Sequence, residues 1–255
     1  MNAVRKYWPY AVVLALLGIG LYCLPKPDIA LSAFAGVLFA FLLGLVKQSR
    51  DKLDTDVAHG NCVLFVLMAH FIIMLTLRED ILKSVEGDLE KLCVFKKAVE
   101  SDGDVGSDPF SGMVHLDVPA LEAGDPIDKV DLNGLISMGL FESSNACWVA
   151  QRQYFNAVGC FNKVVAVSQK FKLDQINGVC KQPVELVLLY ESRLRETFVV
   201  VEKAIKMLHD AHGELFADLC RQYGGRGYKF AGLTSDNAKY TACLNRIVDS
   251  EDLNR

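Results

Sequence analysis

The chain is poor in the arrangements that carry most chemistry. It has eight cysteines, Cys23, Cys62, Cys93, Cys147, Cys160, Cys180, Cys220 and Cys243, yet no two form a CxxC and no spacing matches a zinc site. Cysteines scattered this way read as small core residues kept reduced, with no disulfide framework. There is no phosphate loop, dinucleotide fingerprint, GxSxG elbow or HExxH pair. A basic field is missing too: 27 Lys and Arg stand against 31 Asp and Glu, a net charge of −4, so nucleic acid is not an expected partner. No segment of note alternates with the period of a strand, which leaves an all-α fold. Neither a cofactor nor a bound metal is expected.

Charge is also missing, locally, from the N-terminal region. Residues 7–24 and 29–46 are two uncharged runs of 18, each about 27 Å long as a helix and so able to cross a thin hydrocarbon core. Only Pro25, Lys26, Pro27 and Asp28 separate them. The prolines break the helix, and so short a link makes a transmembrane hairpin over residues 1–50. A cleaved leader is not expected, because Tyr22-Cys23-Leu24-Pro25 lacks the small-residue cleavage pattern. Arg5, Lys6, Lys47, Arg50 and Lys52 flank the hairpin while Lys26 alone lies at its tip, which puts both ends in the cytoplasm. The second run carries small residues four apart, Ser32, Gly36, Ala40 and Gly44; the first carries Ala11, Ala15 and Gly18. Such stripes let helix backbones approach closely in lipid, within the hairpin or between copies in a homo-oligomer.

Residues 51–255 then read as a cytoplasmic antiparallel helical bundle. A third apolar run, Cys62–Leu77, is expected not to cross the membrane. His70 lies inside it, crossing would export Arg78, Lys83, Lys91, Lys96 and Lys97, and a bundle needs an apolar central helix. The period predicts one helix over about 61–98. Residues 101–131 hold eight acidic residues, one Lys, four Gly and three Pro, and read as a mobile acidic linker. A short helix or turn is expected over 131–141, and a helix capped by Ser143, Ser144 or Asn145 running to about Lys172. The clearest helix runs from Pro183 to about Tyr223. Leu194, Phe198, Val201, Ile205, Leu208, His212, Leu215 and Leu219 alternate steps of four and three, a coiled-coil-like seam. Gly224-Gly225 stops it, and a last short helix is expected over 235–248.

Three functions fit, in this order. The first is a non-enzymatic scaffold, anchored in the bilayer by the hairpin, whose bundle docks a protein partner at the cytoplasmic face. This plan resembles that of small multi-pass proteins of the bacterial inner membrane. The second is an oligomeric effector that perturbs or permeates the bilayer through its hairpins. The third is a metal-dependent phosphohydrolase around His209-Asp210. It lacks the further His and Asp that such a site needs on adjoining helices.

Overall fold

A computed structural model describes residues 29–101, 118–177 and 184–233, with Ala15 and positions 242, 245 and 247. Every regular element among them is helical. Helix α1 spans Ile29–Thr76, 48 residues and about 72 Å. A π-helical turn at Leu77–Ile81 and a 3-10 turn at Leu82–Val85 lead into α2, Glu86–Glu100. Then come α3, Lys129–Ser137, α4, Phe141–Ile176, and α5, Val184–Tyr223, closed by a 3-10 turn at Gly224–Arg226. The short helix expected over 235–248 lies outside the described residues, apart from the three isolated positions.

Helix α1 corrects the expected boundaries. The second and third apolar runs are one helix, not a span followed by a separate helix from 61. The connecting stretch Lys47–Asp56 has no proline or glycine, and its Lys, Gln, Arg and Leu are good helix formers, so nothing stops propagation. Thr55 returns its hydroxyl to the Asp51 carbonyl at 2.8 Å, a bond made inside the helix. The expected helix over 61–98 is instead interrupted by the turns at 77–85.

The core is built around α5. Val63, Leu64, Leu67, Met74 and Leu75 of the third run are buried, as are Leu82, Val85 and Leu92 beyond the turns. Along α5 the whole row Leu194, Phe198, Val201, Ile205, Leu208, His212, Leu215 and Leu219 is buried. Helix α4 lies along α5: Ser143 meets Asp218, Gln153 meets Val200, Cys160 meets Glu196, and Phe171 meets Tyr190. The stretch of α1 and α2 from Asp56 to Lys96 lies along α5 from Tyr223 to Glu191.

Helix α4 begins earlier than the capping residues suggested. The turn before it needs Gly139, whose φ of 82° is open to glycine at little cost. Ser143 and Ser144 therefore fall inside the helix, where Ser143 donates to Asp218 Oδ2 at 2.6 Å. The short helix expected over 131–141 is α3, capped by Asp128 through Val130 N–H at 2.8 Å.

Residues 118–128, part of the expected linker, pack on α4. They run as an extended strap into α3, fixed by three side chains of α4. Asn162 accepts from Leu121 N–H at 2.8 Å and donates to its carbonyl at 3.0 Å. Tyr154 Oη accepts from Gly124 N–H at 3.1 Å, and Gln151 Oε1 from Ile127 N–H at 2.5 Å. Ile127 is buried by this arrangement. Acidic and glycine-rich composition marked the stretch as solvated, but its backbone donors found partners on a packed helix. Residues 102–117 of the expected linker lie outside the described residues.

Candidate functional site

The first place of interest is where the apolar end of α1 meets the packed core. At Gly36 and over residues 38–45 the helix is solvent-exposed or half-exposed and wholly apolar, with Leu38, Phe41, Leu42 and Leu45 all open. Gly36, Ala40 and Gly44 are exposed on it, and no described atom comes within 4 Å of a Cβ built at either glycine. Ala15 is helical and exposed. The side chain of Ser32, and all of Ala11 and Gly18, lie outside the described residues. Segment Leu38–Ala98 is long and apolar enough to cross a membrane, with a window of mean hydropathy 2.1, half of which is buried.

One turn past Lys47 and Arg50 the helix is tied to the end of α5. Tyr228 donates to Asp54 at 2.6 Å and Tyr223 to Asp56 at 3.3 Å. Burial, reinforced by Asp56, pushes the Tyr223 hydroxyl up to about 12; burial and a hydrogen bond to Asp54 do the same for Tyr228. Both phenols therefore stay protonated and keep donating. Gly60 lets α1 press on Leu219: a Cβ there would lie 2.8 Å from Leu219 Cδ1. His59 meets Asp131 at 2.7 Å, and a Cβ on Gly134 would lie 2.7 Å from the His59 ring. The junction is thus a stiff joint between the exposed apolar rod and the folded core.

The second place is the π-helical turn, a feature that often marks function. Arg78 is 3% exposed there. Its guanidinium donates to Glu202 at 2.8 Å and Glu86 at 3.3 Å, and lies 5.0 Å from the Phe198 ring centre. Its Nη1 has no described partner. Buried Glu79 pairs with Lys83 at 3.1 Å. Sequence reasoning missed this group, because Arg78 looked like the polar boundary of the apolar run.

Other residues singled out by sequence fall as follows. His209 and Asp210 contact each other at 3.1 Å on the half-open side of α5. No cluster of three or more His, Cys, Asp or Glu able to hold a metal exists among the described residues. Asp218 is held by Ser143 at 2.6 Å and by Arg221 at 2.9 Å. His212 is buried, stacked on Phe216, and hydrogen-bonded to the Ala231 backbone. Burial, aided by nearby His209, pulls it down to about 4, so it is neutral at physiological pH. His70 stacks on Tyr154 at 3.8 Å and meets the Asp125 carbonyl at 3.1 Å; burial lowers its pKa as well. Cys62, Cys93, Cys147, Cys160 and Cys220 are free thiols. Burial pushes Cys147 up to about 12, which removes it as a nucleophile. His115, Cys23, Cys180 and Cys243 lie outside the described residues. Comparison with family models, with curated proteins and with solved structures finds no match for this chain.

Proposed function

We propose that the protein is a non-enzymatic, membrane-anchored interaction protein whose helical domain is held rigidly at the bilayer surface. One observation carries this reading: α1 changes character along its length without ending. At Gly36 and over residues 38–45 it is an exposed apolar rod, and its last third is the buried spine of the core. A soluble protein has no use for a row of exposed Leu and Phe on an isolated helix, because each would cost roughly 1.5–3 kcal/mol relative to burial. Lipid removes that cost. Paired with the charge-free run at 7–24 across Pro25 and Pro27, the rod forms a two-span hairpin.

The third apolar run stays out of the bilayer in this reading. Its buried side chains face α4 and α5, whose other faces carry Glu, Asp, Lys and Arg and do not suit lipid. The pairings along α4, α5 and α1 support an antiparallel bundle. The basic residues Lys47, Arg50 and Lys52 favour a cytoplasmic position for it, at the inner membrane of a bacterium. The exposed Gly36–Ala40–Gly44 stripe suits a homo-oligomeric contact or the packing of the hairpin on itself, and the bundle is free to hold a protein partner. Nothing about His209 and Asp210 favours hydrolysis.

Carbonate extraction of expressing cells tests the anchor. The full chain should stay in the pellet, and a chain with Leu38, Phe41, Leu42 and Leu45 all changed to Asn should be released. Extraction of both would overturn the anchor.

A further inference from the structure

One cavity in the molecule is not used by any contact described so far. It has a volume of about 620 Å³, opens to solvent, and lies between the strap and α4, lined by Pro126, Ile127, Asp128, Lys129, Trp148, Gln151, Arg152 and Phe155. That volume is in the range of small-molecule sites. It is also built rather than incidental. Trp148, Arg152 and Phe155 are spaced by four and three, so they share one face of α4. Phe155 is braced edge-on by the ring of His70, centroids 5.9 Å apart. The opposite wall, Pro126 and Ile127, is fixed by the hydrogen bond from Ile127 N–H to Gln151.

Gln151 shows what the cavity is made to receive. The residue is only 5% exposed. A backbone N–H can only donate, so the side-chain atom facing Ile127 must be the oxygen, and the amide nitrogen is turned the other way. Gln151 belongs to the cavity wall, and its amide nitrogen carries the two donors that the bond to Ile127 does not use. Two cations, Arg152 and Lys129, line the same cavity, and both are exposed. Asp128 offsets one charge, but its Oδ1 is engaged as the cap of α3. Two aromatic walls, an amide donor and an excess of positive charge call for one kind of occupant.

The geometry points to a binding site for a small, flat aromatic carboxylate, its ring against Trp148 and Phe155 and its carboxylate at Arg152, Lys129 and the Gln151 amide. Arginine meets carboxylates in a two-pronged fashion, and the rings supply stacking and apolar area. A lipid headgroup is the wrong source. The strap meets α1 at His70, and α3 meets it at His59. These points are about 36 and 20 Å along the helix from Val46, while the headgroup layer is only about 5–8 Å deep. The ligand therefore comes from solution. The site itself depends on α3, α4 and the strap alone, whereas the solution source of its ligand rests on the anchored reading of α1.

Calorimetric titration of the full chain in phosphatidylcholine nanodiscs, with empty discs subtracted, tests this. The probes are 2-naphthoate and its neutral analogue 2-naphthamide. Saturable binding is expected, with 2-naphthoate tighter by about tenfold. Arg152→Gln should remove that preference and leave 2-naphthamide binding intact. Trp148→Ala should weaken both about tenfold, with unchanged circular dichroism confirming the fold; Lys129→Gln, an exposed change, should weaken 2-naphthoate alone. Exchanging phosphatidylcholine for phosphatidylglycerol should change nothing. No saturable binding at 1 mM, equal affinity for both probes, or indifference to Trp148→Ala would overturn the site. Competition by phosphatidylglycerol would overturn the solution ligand in favour of a headgroup.

Discussion

Buried histidines set how this protein responds to acid. His212 is held neutral with a folded pKa of about 4, against about 6.5 when unfolded. Between those values the unfolded chain binds a proton that the folded one refuses. Stability is therefore whole above about pH 6.5 and is lost as pH falls toward 4, by up to about 3 kcal/mol from this residue. His70, also lowered by burial, acts in the same direction. Thermal melting of the full chain should show a lower midpoint at pH 5 than at pH 7, and His212→Gln should shrink that difference; an equal drop in both would remove His212 from the account. The seam residues are governed by packing instead. Ile205 is fully buried on the face of α5 toward the core. Ile205→Ala should cost about 2–5 kcal/mol, read from denaturant unfolding.

At the scale of elements, the strap is where side chains and backbone depend on each other most. Asn162 satisfies both backbone groups of Leu121, so Asn162→Ala leaves a donor and an acceptor without partners, a loss of about 1–3 kcal/mol. Hydrogen exchange should show the Leu121 amide losing protection while the amides of α5 keep theirs. This same strap shows what was readable in sequence and what was not. Helix α5 was legible from end to end, because its apolar period continues over 40 residues and glycines stop it. The strap was not, because no local pattern tells that a polar loop will find Asn162, Tyr154 and Gln151, 24 to 41 residues onward. The continuity of α1 was hidden for a related reason. Hydropathy shows where apolar runs end, and only helix propensity shows whether the backbone ends with them. Arg78 was overlooked because a cation after an apolar run is ordinarily the point of exit to water. Its burial depends on Glu86, Glu202 and Phe198, all distant in sequence or across a turn.

For the whole molecule the decisive matter is that one helix carries both an exposed apolar stretch and part of the buried core. The core begins at Asp56 and Val57, about 15 Å beyond the end of the exposed apolar rod. Among the described residues, the core from there to α5 takes in nothing before Leu53. The Tyr223–Asp56 and Tyr228–Asp54 bonds close that end of the core on its own side of the boundary. A chain starting at Lys47 should therefore be soluble, monomeric and folded, with the helical signal and the cooperative melt of the full protein. Its remaining exposed apolar side chains are scattered over the outer faces of all five helices, Phe65 on α1 and Val199 on α5 among them. If the rod at 36–45 instead completed the core, removing it would expose the third apolar run, and the truncated chain would aggregate or lose its cooperative transition. Size-exclusion chromatography with light scattering, followed by a thermal melt, separates the two outcomes. Soluble monomer with a sharp transition means that the rod serves the bilayer and not the fold.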